Sequence, residues 1–319
     1  MNETMTTDPL TFVVIDAGSE PGALLAAAKH LGVDAEALVI GPRALADQVS
    51  AFTPAKTRWL GEPTATVAVE DYAEVLVKLA EQEAPAAVLI SASTRGRLLA
   101  GRLAARLDTA AVTDVTHLGL DDGAISATHP LYGGVAVRTE RLLSPIAVIV
   151  VSASAFSAES AAASVPGEVT EALCSVADPL TAVLERRPEP RSAGEVTSAK
   201  VVVGAGRGVG QQENLALVET LAHTMGGEMA CTRPLAEGLN WMPRDRYLGV
   251  SGLDISPELY LAVGISGQSQ HMVGVDRARV IVAINTDKAA PVFAQCDYGI
   301  VGDLTKVLPA LISALEQIP

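Results

Sequence analysis

Short, unbroken aliphatic runs recur along this chain, most of them followed by a stretch with helical spacing. In the first half the runs are Phe12–Ile15, Ala37–Ile40, Thr66–Val69 and Ala87–Ile90. Helical patterns at Ala23–Leu31, Tyr72–Glu83 and Arg95–Leu107 stand between or after them, the first two stopped by Gly32 and near Pro85. A strand without a polar side must be covered on both faces. A chain that alternates such strands with helices achieves this by winding a parallel sheet between two helix layers. From Ala110 to Val151 the rhythm changes. Gly133–Arg138 and Ile146–Val151 read as strands with no helix between them, so antiparallel additions to the sheet are expected there.

Between Leu184 and Thr197 the residues turn charged and rich in proline and glycine, as Glu185–Gly194 shows. Such a stretch reads as a linker, and a length of 319 residues favours two domains. The expected division is residues 1–190 and 191–319. Beyond it the alternation restarts, with strands at Lys200–Val203, Glu228–Thr232, Leu259–Ile265, Val280–Ile284 and Tyr298–Val301. Helices are expected at Asn214–Met225, Gln268–Val275 and Leu304–Gln317. The fold class is therefore α/β: two doubly wound, Rossmann-like domains with mainly parallel sheets, the first with antiparallel additions.

Charge narrows the function. A net charge of -14 argues against binding nucleic-acid phosphates or anionic membrane surfaces. Cys174, Cys231 and Cys296 are isolated and odd in number, which fits neither a disulfide framework nor a zinc site and suits a reducing compartment. The longest purely apolar run, Ile146–Val151, is far short of the ~20 residues that span a bilayer. The N-terminal residues lack the basic and apolar regions of a signal peptide. A soluble, cytoplasmic protein is expected.

Open parallel sheets bind ligands beyond the carboxyl ends of their strands. In the second half those ends carry Gly204–Gly208, Thr232-Arg233, Ser266–His271, Asn285–Asp287 and Asp303. The glycines at 204–210 approach a dinucleotide fingerprint, but Val209 stands where the third glycine belongs, so a turn-and-packing role is favoured. Gly264-Ile265-Ser266-Gly267 leads from strand to helix through small residues, and backbone N–H groups at such a start suit a phosphate or other anion. The five histidines are scattered, and no Ser/His/Asp set appears.

Three blocks, Pro257–Gly274, Val280–Phe293 and Asp297–Leu304, resemble the signature of electron-transfer flavoprotein alpha subunits in order and spacing. Cys231-Thr232-Arg233-Pro234 is similar to the family's small-Ser-Arg element, with Thr for Ser. The resemblance runs through about residues 196–319, with a weaker match at Ser91–Val115 and His129–Phe156. Arg233–Met242, Arg246–Gly252, Gln268–Gly274 and Pro309–Ser313 look like the Fix-type branch, which serves nitrogen-fixation or carnitine-linked electron chains.

The resemblance implies FAD as cofactor. Arg233, beside Thr232, would lie against the flavin ring or its diphosphate and favour reduced, anionic flavin. Ser251, following Gly249 and Val250, would point its hydroxyl toward the flavin N5; Val250 replaces the family's usual Gln and removes one polar contact. Gly264, Ser266, Gly267 and the following amides would hold the diphosphate. Gln270 and His271 would meet the pyrimidine edge. Asn285, Asp287, Asp303 and Leu304 would hold the adenosine half. Cys231, Cys296, Trp241 and Tyr247 read as packing residues.

On the same resemblance the chain is an electron carrier rather than an enzyme, paired with a beta subunit through its N-terminal domain. Its donor would be an acyl-CoA-type or related dehydrogenase, and its acceptor a quinone oxidoreductase or a ferredoxin-linked protein, in fatty acid or carnitine metabolism. Alternatives stay open: a subunit of an electron-bifurcating complex, a nicotinamide-dependent oxidoreductase, or a non-redox adenine-nucleotide-binding regulator.

Overall fold

The computed structural model describes residues 10–32, 35–52, 56–156, 167–176, 179, 181–185 and 193–317. The chain divides into two compact units, residues 1–131 with 137–187, and residues 188–319 with 132–136. The boundary expected near 190 falls at 186–192, outside the described residues.

The first unit contains, in order, β1 (Thr11–Asp16), α1 (Pro21–Lys29), β2 (Ala35–Ile40), α2 (Arg43–Ser50), β3 (Thr57–Gly61), α3 (Ala73–Glu83), β4 (Ala87–Ser91) and α4 (Thr94–Arg106). Then come β5 (Ala111–Val115), β6 (His117–Asp121), β7 (Ala124–Leu131), β8 (Ala136–Leu142), β9 (Ala147–Val151) and β10 (Val169–Glu171). Seven strands form one sheet in the order β10-β3-β2-β1-β4-β9-β5, and every pairing in it is parallel. Alternate strand residues serve opposite cores. Val13, Ile15 and Val39 pack with Ala23–Ala28 of α1, while Phe12, Val14, Leu38 and Ile40 pack with Leu76 and Val77 of α3 and Leu99 and Leu103 of α4. Each such buried aliphatic side chain contributes about 1.5–3 kcal/mol relative to exposure.

Three local expectations are corrected. The third strand is Thr57–Gly61, not Thr66–Val69; the latter leads into a 3-10 turn over Val69–Tyr72. Arg58 interrupts the apolar pattern of β3, yet it is buried because Glu36 at 2.8 Å and Glu83 at 2.7 Å pair with it. Helix α2 stands between β2 and β3, where no helix was expected. Finally, Ile146–Val151 does not add an antiparallel strand: β9 lies parallel between β4 and β5. Parallel neighbours need a long crossover. Here β6, β7 and β8 supply it as a separate three-stranded sheet, with β6 and β7 antiparallel.

The second unit holds α5 (Ala193–Ser198), β11 (Val201–Ala205), α6 (Leu215–Thr224), β12 (Glu228–Thr232), β13 (Tyr247–Leu248), β14 (Leu259–Val263), α7 (Ser269–Met272), β15 (Ile281–Asn285), β16 (Tyr298–Val301) and α8 (Leu304–Leu315). Its six strands run β13-β12-β11-β14-β15-β16, again all parallel. Val203, Ala205 and Leu261 face α6 and α8. Val202, Tyr260, Ala262 and Ala283 face the other way, among Leu248, Ile255, Met272 and Val292. That second face is covered largely by loop residues rather than by long helices, and the candidate site is built from those loops.

Candidate functional site

The strand order reverses between β11 and β14, and such a reversal usually opens a ligand crevice. Here it is filled by backbone. Gly206 donates to the Val263 carbonyl at 2.8 Å, and Gly208 donates to the Gly264 carbonyl at 2.9 Å. Gly264 has φ +62°, and a Cβ on it would lie 2.8 Å from the Gly208 carbonyl carbon. The glycines after β11 therefore pack one loop on another, as the turn-and-packing reading has it.

The polar groups converge instead around α7. Following β13, Val250 N donates to the Gln270 carbonyl at 2.9 Å, and Gly249 N donates to the Leu253 carbonyl at 3.0 Å. Gly249 has φ +129°, and a Cβ there would stand 2.3 Å from Gln270 O, so only glycine lets the two segments meet this closely. Ser251 is exposed, and its carbonyl accepts from the Tyr247 hydroxyl. On the other side, Ser266 and Gly267 are anchored by the loop after β15: Val292 N donates to Ser266 O at 3.0 Å, and Gln295 Nε2 donates to Gly267 O at 2.9 Å. The side chains of Ser266, Ser269 and Gln270 stay exposed.

The helix expected at Gln268–Val275 is only the turn Ser269–Met272, and no side chain caps it. The turn is followed by Gly274, which packs so closely that a Cβ there would lie 2.4 Å from Gly249 N. One turn carries little macrodipole, so an anion here would meet individual backbone N–H groups rather than a helix field.

His271 is buried, and the structure turns its ring inward. Nε2 lies 2.8 Å from the Tyr260 hydroxyl, and Nδ1 lies 3.1 Å from the Leu248 carbonyl oxygen. Burial lowers its pKa to about 4, so the ring is neutral at pH 7. The resemblance implies that His271 meets the flavin edge; here both of its ring nitrogens are engaged inside the protein.

Thr232 ends β12, buried, and its Oγ1 has no hydrogen-bond partner among the described residues. A buried, unpaired hydroxyl is costly unless something satisfies it. Arg233 is exposed and paired with Glu237, which also holds Arg244. Its guanidinium stays on the surface, held above its usual pKa by the Glu237 carboxylate.

The adenosine-side candidates bind mostly to their own loops. Asn285 Nδ2 donates to Ile265 O at 2.8 Å, while its Oδ1 accepts from Asp287 N at 2.9 Å. This clamps the loop after β14 to the loop after β15. Asp287 Oδ1 accepts from Ala289 N at 2.9 Å. Asp303 caps α8, accepting from Thr305 N at 2.9 Å, and that bond holds its carboxyl below the usual range. Leu304 turns into the core with α6, so its side chain lies away from the loop surface. Sequence reasoning did not single out Tyr260 or the Leu248 carbonyl. The available signal was a tyrosine in a buried parallel strand, whose hydroxyl must find a partner.

Residues 22–174 match the electron transfer flavoprotein domain, and residues 195–276 match the electron transfer flavoprotein FAD-binding domain. The second match spans Thr232, Gly249 and the whole α7 turn. Among curated relatives, protein FixB of Salmonella typhimurium is 42% identical over 312 residues, covering 96% of this chain and 98% of that protein. Protein FixB of Escherichia coli O157:H7 is 41% identical over 297 residues, covering 88% and 94%. The chain belongs to the electron transfer flavoprotein family, as an alpha-type member of its Fix-type branch. No helix among the described residues is long and apolar enough to cross a membrane.

Proposed function

We propose that the second unit binds FAD at the loops gathered on α7, and that the chain, paired with a beta subunit, carries electrons from a dehydrogenase to an acceptor. The observation that supports this best is a coincidence. The segment matching the FAD-binding domain contains the convergence of Gly249–Ser251 with Gln270–His271, and also Thr232, whose buried hydroxyl has no partner among the described residues. The residues suit the cofactor. Ser251, Ser266 and Gln270 offer exposed polar groups, Gly264 and Gly267 let the loop that carries Ser266 pack against the backbone of Gly208 and Val292, and Arg233 supplies a cation for a diphosphate or an electron-rich ring.

FAD, when bound, supplies the acceptance and release of electrons. The protein orients and tunes. With FAD bound, Thr232 would offer the hydroxyl that has no partner among the described residues, Arg233 would share its bond to Glu237, and the clamp made by Asn285 would keep the Gly264–Gly267 loop in place. His271, within α7, turns its ring inward, is neutral and adds no charge. Asp287, Asp303 and Leu304 position the adenosine-side loops through backbone caps and core packing. Residues 1–190 serve as the beta-subunit contact and 191–319 as the flavin domain. Exposed apolar side chains around β8, among them Val135, Val137 and Leu143, support a protein contact in that region.

The donor class is an acyl-CoA-type or related dehydrogenase, and the acceptor class a quinone oxidoreductase or a ferredoxin-linked protein. The test is the visible spectrum of this chain co-expressed with its beta subunit during stepwise dithionite reduction. One FAD per heterodimer that bleaches and reoxidises supports the carrier. Two flavins per heterodimer point to bifurcation. A complex that stays colourless after FAD is added leaves a nucleotide-binding regulator.

A further inference from the structure

Tyr260 is fully buried in the middle of the second sheet. Its strand, β14, neighbours β11, and Tyr260 sits where Gly204 leaves room: a Cβ on Gly204 would lie 2.1 Å from the Tyr260 hydroxyl oxygen. Any side chain at 204 would therefore displace the phenol. The hydroxyl so placed reaches His271 Nε2 at 2.8 Å, and on the far side of the ring Nδ1 meets Leu248 O at 3.1 Å.

Proton positions follow from chemistry. A carbonyl oxygen can only accept, so Nδ1 carries the hydrogen. A buried imidazole without an anionic partner is neutral, which leaves Nε2 bare, so the tyrosine hydroxyl donates to it. The ionisable neighbour acting on Tyr260 is Cys231, whose own pKa burial pushes up to about 12; it brings no charge that would favour imidazolium.

We propose that Tyr260 is a positioning residue, seated by Gly204, whose hydroxyl donates to Nε2 and holds the ring of His271, kept as the neutral Nδ1–H tautomer by the Leu248 carbonyl, locked beneath the backbone of the α7 turn. The locked ring sets the height and charge of the segment Gln270–His271, against which Gly249 and Val250 close. This role rests on the FAD reading of that surface, but the tautomer itself does not.

The test uses the full chain, labelled with 15N-histidine, with and without FAD, in wild type and in Tyr260→Phe. Long-range 1H–15N correlations distinguish the two neutral tautomers and the imidazolium. His271→Asn assigns the signal among the five histidines. The wild type is expected to show one neutral Nδ1–H histidine that does not titrate above pH 5. In Tyr260→Phe the Nδ1–H tautomer is expected to remain, because Leu248 O still accepts from it, while the Nε2 15N signal shifts as it loses its donor and the FAD dissociation constant rises severalfold. An ordinary titration of His271 near pH 6.5 in the wild type would overturn the proposal, as would a Tyr260→Phe spectrum and FAD affinity equal to wild type. The wild-type measurement stands even if the variant does not fold. Failure of any form to bind FAD strikes the functional reading alone and leaves the tautomer result to be judged separately.

Discussion

Gly249 touches the backbone of Gln270 so closely that a methyl group there would stand 2.3 Å from the carbonyl oxygen, at a φ of +129°. Gly249→Ala is therefore expected to cost about 1–3 kcal/mol and to weaken FAD binding, because the 249–251 loop must leave α7. Gly238, with nothing within 4 Å of its Cβ position, is the control. Gly238→Ala is expected to stay within about 0.5 kcal/mol of wild type. Urea midpoints and flavin content of both variants check this.

Thr232 separates the apo chain from the loaded one. Thr232→Val removes a buried hydroxyl that has no partner among the described residues. The apo protein should be as stable as wild type or more stable, by up to about 1 kcal/mol, while FAD affinity falls by roughly five- to tenfold, the equivalent of one lost hydrogen bond. Thermal melts without FAD, paired with FAD titrations, read the two signs independently.

Arg58 governs the first unit. Arg58→Met strands Glu36, which is buried, with Lys56 at 3.6 Å as the one remaining cation paired with it among the described residues. A loss of about 3–5 kcal/mol is expected. Replacing Glu36 by Leu in the same chain should restore most of it, because the pair and not the charge is what the core tolerates. Urea unfolding of the single and double variants decides the matter.

Acid should reveal His271. Its folded pKa, lowered to about 4 by burial, lies below its unfolded value of about 6.5. Between these values the unfolded chain binds the extra proton, so this histidine makes stability fall as pH falls from about 6.5 toward 4. His271→Asn is expected to flatten that part of the urea-midpoint profile relative to wild type.

Much of this architecture is legible in the residues. Unbroken apolar runs located β1, β2, β4, β11, β14 and β15, since burial on both faces leaves few polar positions to confuse the pattern; β12 and the exposed edge strand β16 were legible too, but the short edge strand β13 was not. β3 escaped because Arg58 looks solvent-facing until Glu36 and Glu83 are seen beside it. β9 looked antiparallel because its crossover is a small sheet and not a helix. At the site, the glycines at 204–210 announced a packed turn, since their spacing is local, while Ser266–His271 read as the start of a longer helix than the one turn that forms. The inward turn of His271 was hidden: it depends on a tyrosine hydroxyl and a carbonyl brought from other strands. The self-capping of Asp287 and Asp303 was hidden for another reason, since the same residue types serve loop turns and ligands alike.

The most direct test of the central claim is hydrogen–deuterium exchange of the full heterodimer, deflavinated and then saturated with FAD. The account requires protection concentrated at residues 249–252 and 264–272, with a smaller effect around Thr232. Protection confined to the first unit, or none in the second unit on saturation, would contradict it.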